Sequence, residues 1–135
     1  MEFDKTMAIS ASALRAQGQR MRVIAENLAN ANSVPSSPEQ EPYRRKVVSF
    51  DNELNRELGV NTVKVNKVSP VAGEFAKRFD PDHPGADDDG YVRVPNVNSL
   101  IEVMDMREAQ RTYEANLQVI EAAKRMLKRT VDLLK

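Results

Sequence analysis

Apolar residues recur at every seventh position at both ends of the chain. Met7, Leu14, Met21 and Leu28 form one series, with the small residues Ala11, Gly18 and Ala25 interleaved four positions on. Met106, Tyr113, Ile120, Leu127 and Leu134 form the other, accompanied by Ala109, Asn116, Ala123 and Thr130. A sustained heptad aligns its apolar residues in one seam along a helix, and such a seam buries itself against another helix. The pattern therefore predicts a mainly α fold: long N- and C-terminal helices pairing as a coiled coil, with a short β-rich segment between them. The domain organisation read from it is an N-terminal helix over residues 1–33, a linker and small β module over 34–98, and a C-terminal helix over 99–135.

The first helix is expected to start near Asp4 or Thr6, either of which can cap it, and to end about Asn32, with Pro35 close behind. Pro35, Pro38 and Pro42 make the adjoining stretch a linker. Residues 43–50 mix β-branched and aromatic side chains with Arg44, Arg45 and Lys46 and read as a strand with one wet face. Residues 52–58 read as two helical turns capped by Asp51 and ended by Gly59. Residues 60–68 resume an extended pattern, 71–79 read as a third strand and 91–94 as a short fourth, with a polar loop over 80–90. Ser99 with Glu102 three residues later has the capping-box form, and Asn98 is the competing cap.

The small residues beside each seam let helix backbones approach closely. Gly18 costs roughly 1 kcal/mol of helix propensity relative to alanine, and a close contact is the natural compensation. Asn116, inside the second small line, has the placement of an amide that fixes register and partner number.

At ~1.5 Å per residue the two heptad segments would run about 40 Å and 55 Å as straight helices. The stretch between them holds too little chain to cover both along their length, so part of each seam needs other molecules. Single helices with unburied seams are marginal in water, and a dilute monomer is expected to have largely disordered ends.

Lysine plus arginine and aspartate plus glutamate each total 20, so the basic footprint of a nucleic-acid binder is missing. No stretch approaches the ~20 apolar residues of a membrane span, and no early apolar run has signal-peptide length. Cysteine is absent, which fits a protein that meets both reducing and oxidising compartments.

Catalytic chemistry finds little support. The chain has one histidine, His83, and its five glycines form no phosphate loop. Asp80, Asp82, His83, Asp87, Asp88 and Asp89 cluster, yet read as a calcium loop from Asp80 they place Pro84 at the fifth position and Tyr91 where a bidentate glutamate is required. The cluster reads as a solvated turn broken by Pro81, Pro84 and Gly85. Lys124, Arg125, Lys128 and Arg129 form a basic strip near the chain's end, where cations complement the helix dipole. No catalytic residue, cofactor or metal is expected.

The segment Ile24-Ala25-Glu26-Asn27-Leu28-Ala29-Asn30-Ala31-Asn32-Ser33 resembles the N-terminal signature of bacterial flagellar rod and hook proteins. Tyr113-Glu114-Ala115-Asn116-Leu117 matches the C-terminal signature of the same family. The runs Pro42-Tyr43-Arg44-Arg45-Lys46, Asp80-Pro81-Asp82-His83-Pro84, Gly90-Tyr91-Val92, Pro95-Asn96-Val97-Asn98 and Glu102-Val103-Met104-Asp105-Met106 are similar to its proximal rod members. Ser33 stands where the family more often has threonine, and the Pro-Gly-Tyr that many relatives carry after the asparagines is missing.

The resemblance implies a structural subunit that assembles helically around a central channel through its terminal helices and transmits torque. It implies export through the flagellar type III apparatus without a cleaved signal, and a place in the periplasm-spanning rod. Its partners would be copies of itself, other rod proteins and the export apparatus. On this reading Met7, Leu14, Met21, Leu28, Met106, Tyr113, Ile120, Leu127 and Leu134 are assembly residues, and Asn27, Asn30, Asn32 and Asn116 set orientation and register. A soluble helical adaptor or export chaperone is the alternative; a metalloenzyme built on the acidic loop is a distant third.

Overall fold

The computed structural model describes residues 2–135. In chain order its elements are α1 (Glu2–Ala29), β1 (Lys46–Asn55), β2 (Val60–Pro70), β3 (Lys77–Phe79), β4 (Tyr91–Arg93) and α2 (Ser99–Leu133). Two long helices thus bracket two small sheets, β1 with β2 and β3 with β4. The fold is mainly α with a small β module in the middle, as the heptads and the intervening β-branched runs predict.

Local chemistry sets the ends. α1 carries Glu2 and Asp4 in its first turn, where carboxylates meet the positive end of the helix dipole. It stops at Ala29, three residues before the expected Asn32. The ladder is still α-type at Asn30, whose N–H (3.1 Å) and side-chain Nδ2 (2.9 Å) donate to the carbonyl of Glu26, and it tightens beyond to the i−3 bonds of Ala31 to Leu28 (3.3 Å) and Ser33 to Asn30 (3.1 Å). α2 is capped by Asn98, whose Oδ1 accepts the N–H of Leu100 at 3.1 Å. The capping-box reading of Ser99 and Glu102 is corrected: the Glu102 carboxylate turns away from the helix end and is held by Arg45 and Asn27.

The middle departs from expectation in two places. Residues 52–58 do not form helical turns. β1 runs on to Asn55, whose Oδ1 accepts the N–H groups of Glu57 (3.1 Å) and Leu58 (3.2 Å), and Gly59 closes the reversal at a φ of 65°. Pairing with β2 satisfies the backbone that a short helix would leave open at both ends. The third strand is confined to Lys77–Phe79, because the residues before it are tied elsewhere. Arg44 donates from Nη1 to the carbonyls of Val71 and Gly73, both at 2.9 Å, and the Val71 N–H donates to the carbonyl of Arg45.

The chain divides into two compact units. The first comprises α1 up to Met21, Val48–Lys67 and Arg107–Lys135. Its most deeply buried residues are small: Ser10, Ser12, Ala16, Ala109 and Ala123. Ser12 Oγ donates to the carbonyl of Ile9 at 2.7 Å and accepts the N–H of Val63 at 3.1 Å, pinning β2 to the helix. Arg20 and Glu108 form an ion pair at 3.6 Å.

The second unit comprises Arg22–Val47 and Val68–Met106. Val23, Ile24 and Val92 supply its buried apolar side chains, and Asn27 and Glu102 its buried polar ones. β3 and β4 pair antiparallel, Lys77 opposite Arg93 and Phe79 opposite Tyr91, with the two rings edge to face at 5.3 Å. The acidic loop between them folds on itself. Asp87 Oδ1 accepts the N–H groups of Asp89 (3.0 Å) and Tyr91 (2.9 Å), and His83 Nδ1 accepts that of Gly85 (2.9 Å). A Cβ on Gly85 would lie 2.2 Å from the carbonyl oxygen of Pro35, so only glycine fits.

Candidate assembly surface and buried polar centre

The second unit is organised around Asn27. Position 27 falls on the inward side of α1 in its last turn, and the strand entered at Lys46 runs past it. Asn27 Nδ2 donates to the carbonyl of Lys46 (2.8 Å) and to Glu102 Oε2 (3.2 Å). Its Oδ1 accepts the Tyr43 hydroxyl (2.6 Å) and the Lys46 N–H (3.0 Å). An asparagine amide offers two donors and two acceptor sites, so all four positions are used.

Glu102 is fully buried, and its other oxygen accepts Arg45 Nε. Arg45 also reaches Asp105 Oδ2 from Nη2 at 3.3 Å, and its backbone N–H donates to Asn96 Oδ1 at 2.7 Å. A buried carboxylate is tolerated only when it is paired and hydrogen-bonded, and both conditions hold here. The centre thus fixes the end of α1, the start of α2 and the entry to β1 against one another, with every member satisfied.

Two groups at its edge titrate away from their ordinary values. The Tyr43 hydroxyl is held above 10.0, foremost by burial and next by the negative charge of Glu26. Lys46 is raised above 10.5, foremost by the hydrogen bond of its Nζ to Glu26 at 2.6 Å. Beside them Arg44 lies 4.2 Å above the centre of the Phe75 ring, a cation–π contact that holds the segment before β3.

The assembly residues read from the heptads fall into two groups. Met7, Leu14, Met21, Leu28, Met106, Tyr113 and Ile120 are half-buried, whereas Leu127 is 42% exposed and Leu134, one residue past α2, is 83% exposed. The most completely buried helix positions lie off that line, at Ser10, Ser12, Ala16, Val23, Ile24 and Asn27 of α1 and at Glu102, Ala109 and Ala123 of α2. α2 also exposes Leu100, Met104, Val119, Met126, Val131 and Leu133 to water.

Of the four asparagines, Asn27 occupies the polar centre and Asn30 closes α1. Asn32 is exposed, and Asn116, half-buried, donates to the carbonyl of Thr112 one turn back at 2.9 Å. The sequence reading missed Tyr43, Arg45 and Glu102 as members of the site. A signal was present: Glu102 is the one acid in the run Leu100-Ile101-Glu102-Val103-Met104, and an acid so placed calls for a cation, which Arg45 supplies.

Among the described residues no group of three or more histidine or carboxylate side chains converges as a metal site, and no helix is long and apolar enough to cross a membrane.

Both terminal segments match families of flagellar axial proteins. Residues 7–35 match the family described as flagella basal body rod protein, and residues 88–133 the family described as flagellar basal body rod FlgEFG protein C-terminal. These two regions contain most of α1 and all of α2, so the class is that of the flagellar rod proteins. Over nearly its whole length the chain is similar to proteins named flagellar basal-body rod protein FlgC. It is 49% identical to that of Agrobacterium fabrum over 127 residues, covering 94% of this chain and 91% of the relative. Against that of Bacillus subtilis it is 37% identical over 143 residues, covering 95% of each. Against that of Aquifex aeolicus it is 38% identical over 136 residues, covering 100% of this chain and 99% of the relative. The chain belongs to the FlgC family of flagellar basal-body rod proteins.

Proposed function

We propose that this protein is a structural subunit of the flagellar rod, joined to copies of itself and to other rod proteins through its two terminal helices. One observation carries the reading: within the first unit the apolar residues of α2 from Leu117 to Leu133 lie exposed, while the unit itself buries mainly alanine and serine. A strip of that size is stable in water only when another molecule covers it. Repeated head-to-tail contacts that do not close under rotation generate a filament, as a rod requires.

On this reading the work is mechanical and involves no catalysis. The heptad residues from Met7 to Leu134 make the contacts between subunits, Asn27 fixes the orientation of the end of α1 within the subunit, and Asn116 holds register. The subunit leaves the cytoplasm through the flagellar export apparatus without a cleaved signal, and takes its place in the rod across the periplasm around the export channel.

The test is complementation of a strain lacking the chain. Neither a variant lacking residues 1–32 nor the full-length variant M126E should yield basal bodies with a rod. A truncated chain that still builds one would favour an adaptor role and overturn the proposal.

A further inference from the structure

Two exposed surfaces of the first unit are complementary. The last third of α2 is basic and apolar: Lys124, Arg125, Lys128 and Arg129 stand beside Val119, Met126, Leu127 and Val131, all exposed. Those four cations form no ion pair among the described residues. The far half of the β1–β2 hairpin is apolar and carries net negative charge: Asp51, Glu53 and Glu57, which form no ion pair among the described residues, outnumber the one exposed cation of the turn, Arg56, and flank the exposed Phe50 and Leu54. Beside Leu54 lies an open recess lined by Ala8, Ala11, Arg15, Glu53, Asn55 and Thr62. Its small side chains leave room for a long flexible one, and methionine adapts to such spaces. No hydrogen bond or ion pair joins the two surfaces within one chain.

We propose that the basic apolar end of α2 in one copy docks on the acidic tip of the β1–β2 hairpin of a second copy, Met126 entering the recess beside Leu54. The occupant is a second copy because each surface supplies the charge and the apolar area that the other lacks. The two patches differ, so the contact is heterologous and each copy keeps one free surface of each kind for the next. Opposite charges steer the approach, and the apolar side chains hold the contact once made. This inference rests on the rod reading above and adds to it the pair of faces that meet.

The natural chain has no cysteine, so an engineered pair reports without background. Full-length L54C and M126C variants are co-expressed in a strain lacking the chain, and isolated basal bodies are oxidised. A disulfide-linked dimer should form in the mixture and in neither variant alone, and L54C with L127C serves as a second geometry. Carrying K124E, R125E and K128E on the M126C copy should cut the dimer by about 10-fold or more, a loss of roughly 1.4 kcal/mol. Adding D51K, E53K and E57K to the L54C copy should restore it.

Basal bodies that contain the chain but give no dimer with either pair overturn this docking and leave the rod reading intact. Equal dimer from one variant alone overturns it in favour of a like-on-like contact. Sedimentation of the chain with phosphatidylglycerol vesicles, abolished by the basic-face reversal and without any dimer, overturns it in favour of a membrane surface. Absence of the chain from basal bodies defeats the rod reading itself, and this inference with it.

Discussion

The two compact units of this chain are held together by opposite means. The second concentrates specificity in a few large or charged groups: Asn27 uses every hydrogen-bonding position it has, Glu102 is fully buried, and Arg45 neutralises it. The first buries alanine and serine and leaves leucine, methionine and valine of α2 in the open. A polar centre of the first kind is satisfied within one molecule and has nothing left to offer a partner. Small-residue packing with an exposed apolar strip is the reverse, since it leaves apolar surface that other molecules cover on the rod reading proposed above. The self-sufficiency belongs to the polar centre and not to the whole second unit, since Leu100 and Met104 of that unit are exposed as well.

The largest expected effect breaks the polar centre. R45M leaves Glu102 buried without its cation and should destabilise the isolated chain by about 3–5 kcal/mol in urea unfolding. E102Q removes the charge together with the need for it, leaves Arg45 with Asp105, and should cost less, roughly 1.5–3 kcal/mol. Equal losses would mean that the pair does not act through the buried charge. A109M, by contrast, forces bulk into the fully buried small-residue contact of the first unit and should cost about 1–3 kcal/mol. A stable A109M variant would show that contact to be loosely packed.

Much of the fold was legible in the residues, though the division into two units, each drawing on both long helices, was not. The heptads marked both long helices, and the prolines and β-branched runs marked the middle as irregular and β-rich. Asn27 was singled out as a determinant of orientation, and in the structure it occupies the polar centre. Its partners were not legible, because Tyr43, Arg45 and Glu102 are far from it in sequence and only the tertiary fold brings them together. The helical reading of residues 52–58 failed for a related reason. The tendency of that stretch toward a turn is real, but Asn55 and Gly59 place the turn at 56–59, and pairing with β2 claims the rest. The seam residues show the third kind of limit. A heptad says that a face will be covered, and it does not say whether by the same chain or by the next.

A smaller effect, confined to the second unit, arises at its titrating edge. Tyr43 and Lys46 both hold their protons more tightly folded than unfolded, since their values are raised from 10.0 and 10.5. Their contribution to stability is therefore complete below about pH 10 and lost as pH rises through the folded values. Unfolding midpoints measured from neutral to strongly alkaline pH should fall, and Y43F should make the fall shallower. A Y43F curve parallel to that of the natural chain would remove Tyr43 from the linkage.

The smallest expected effect on folding is the most telling for assembly. Met126 is 56% exposed on α2, so M126E loses only part-covered surface, and a glutamate there stands three residues before Arg129, where it supports the helix by roughly 0.2–0.5 kcal/mol. The unfolding free energy of the isolated chain should stay within about 0.5 kcal/mol of the natural one. Rod assembly in cells should nevertheless be lost, because a charge now sits in the strip that a partner has to cover. Stability and assembly would then separate along the line between the two units: R45M weakens the monomer, and M126E spares it while abolishing the polymer. If M126E instead destabilised the monomer as much as R45M does, the exposed end of α2 would be part of the chain's own fold, and the contrast between the units would disappear.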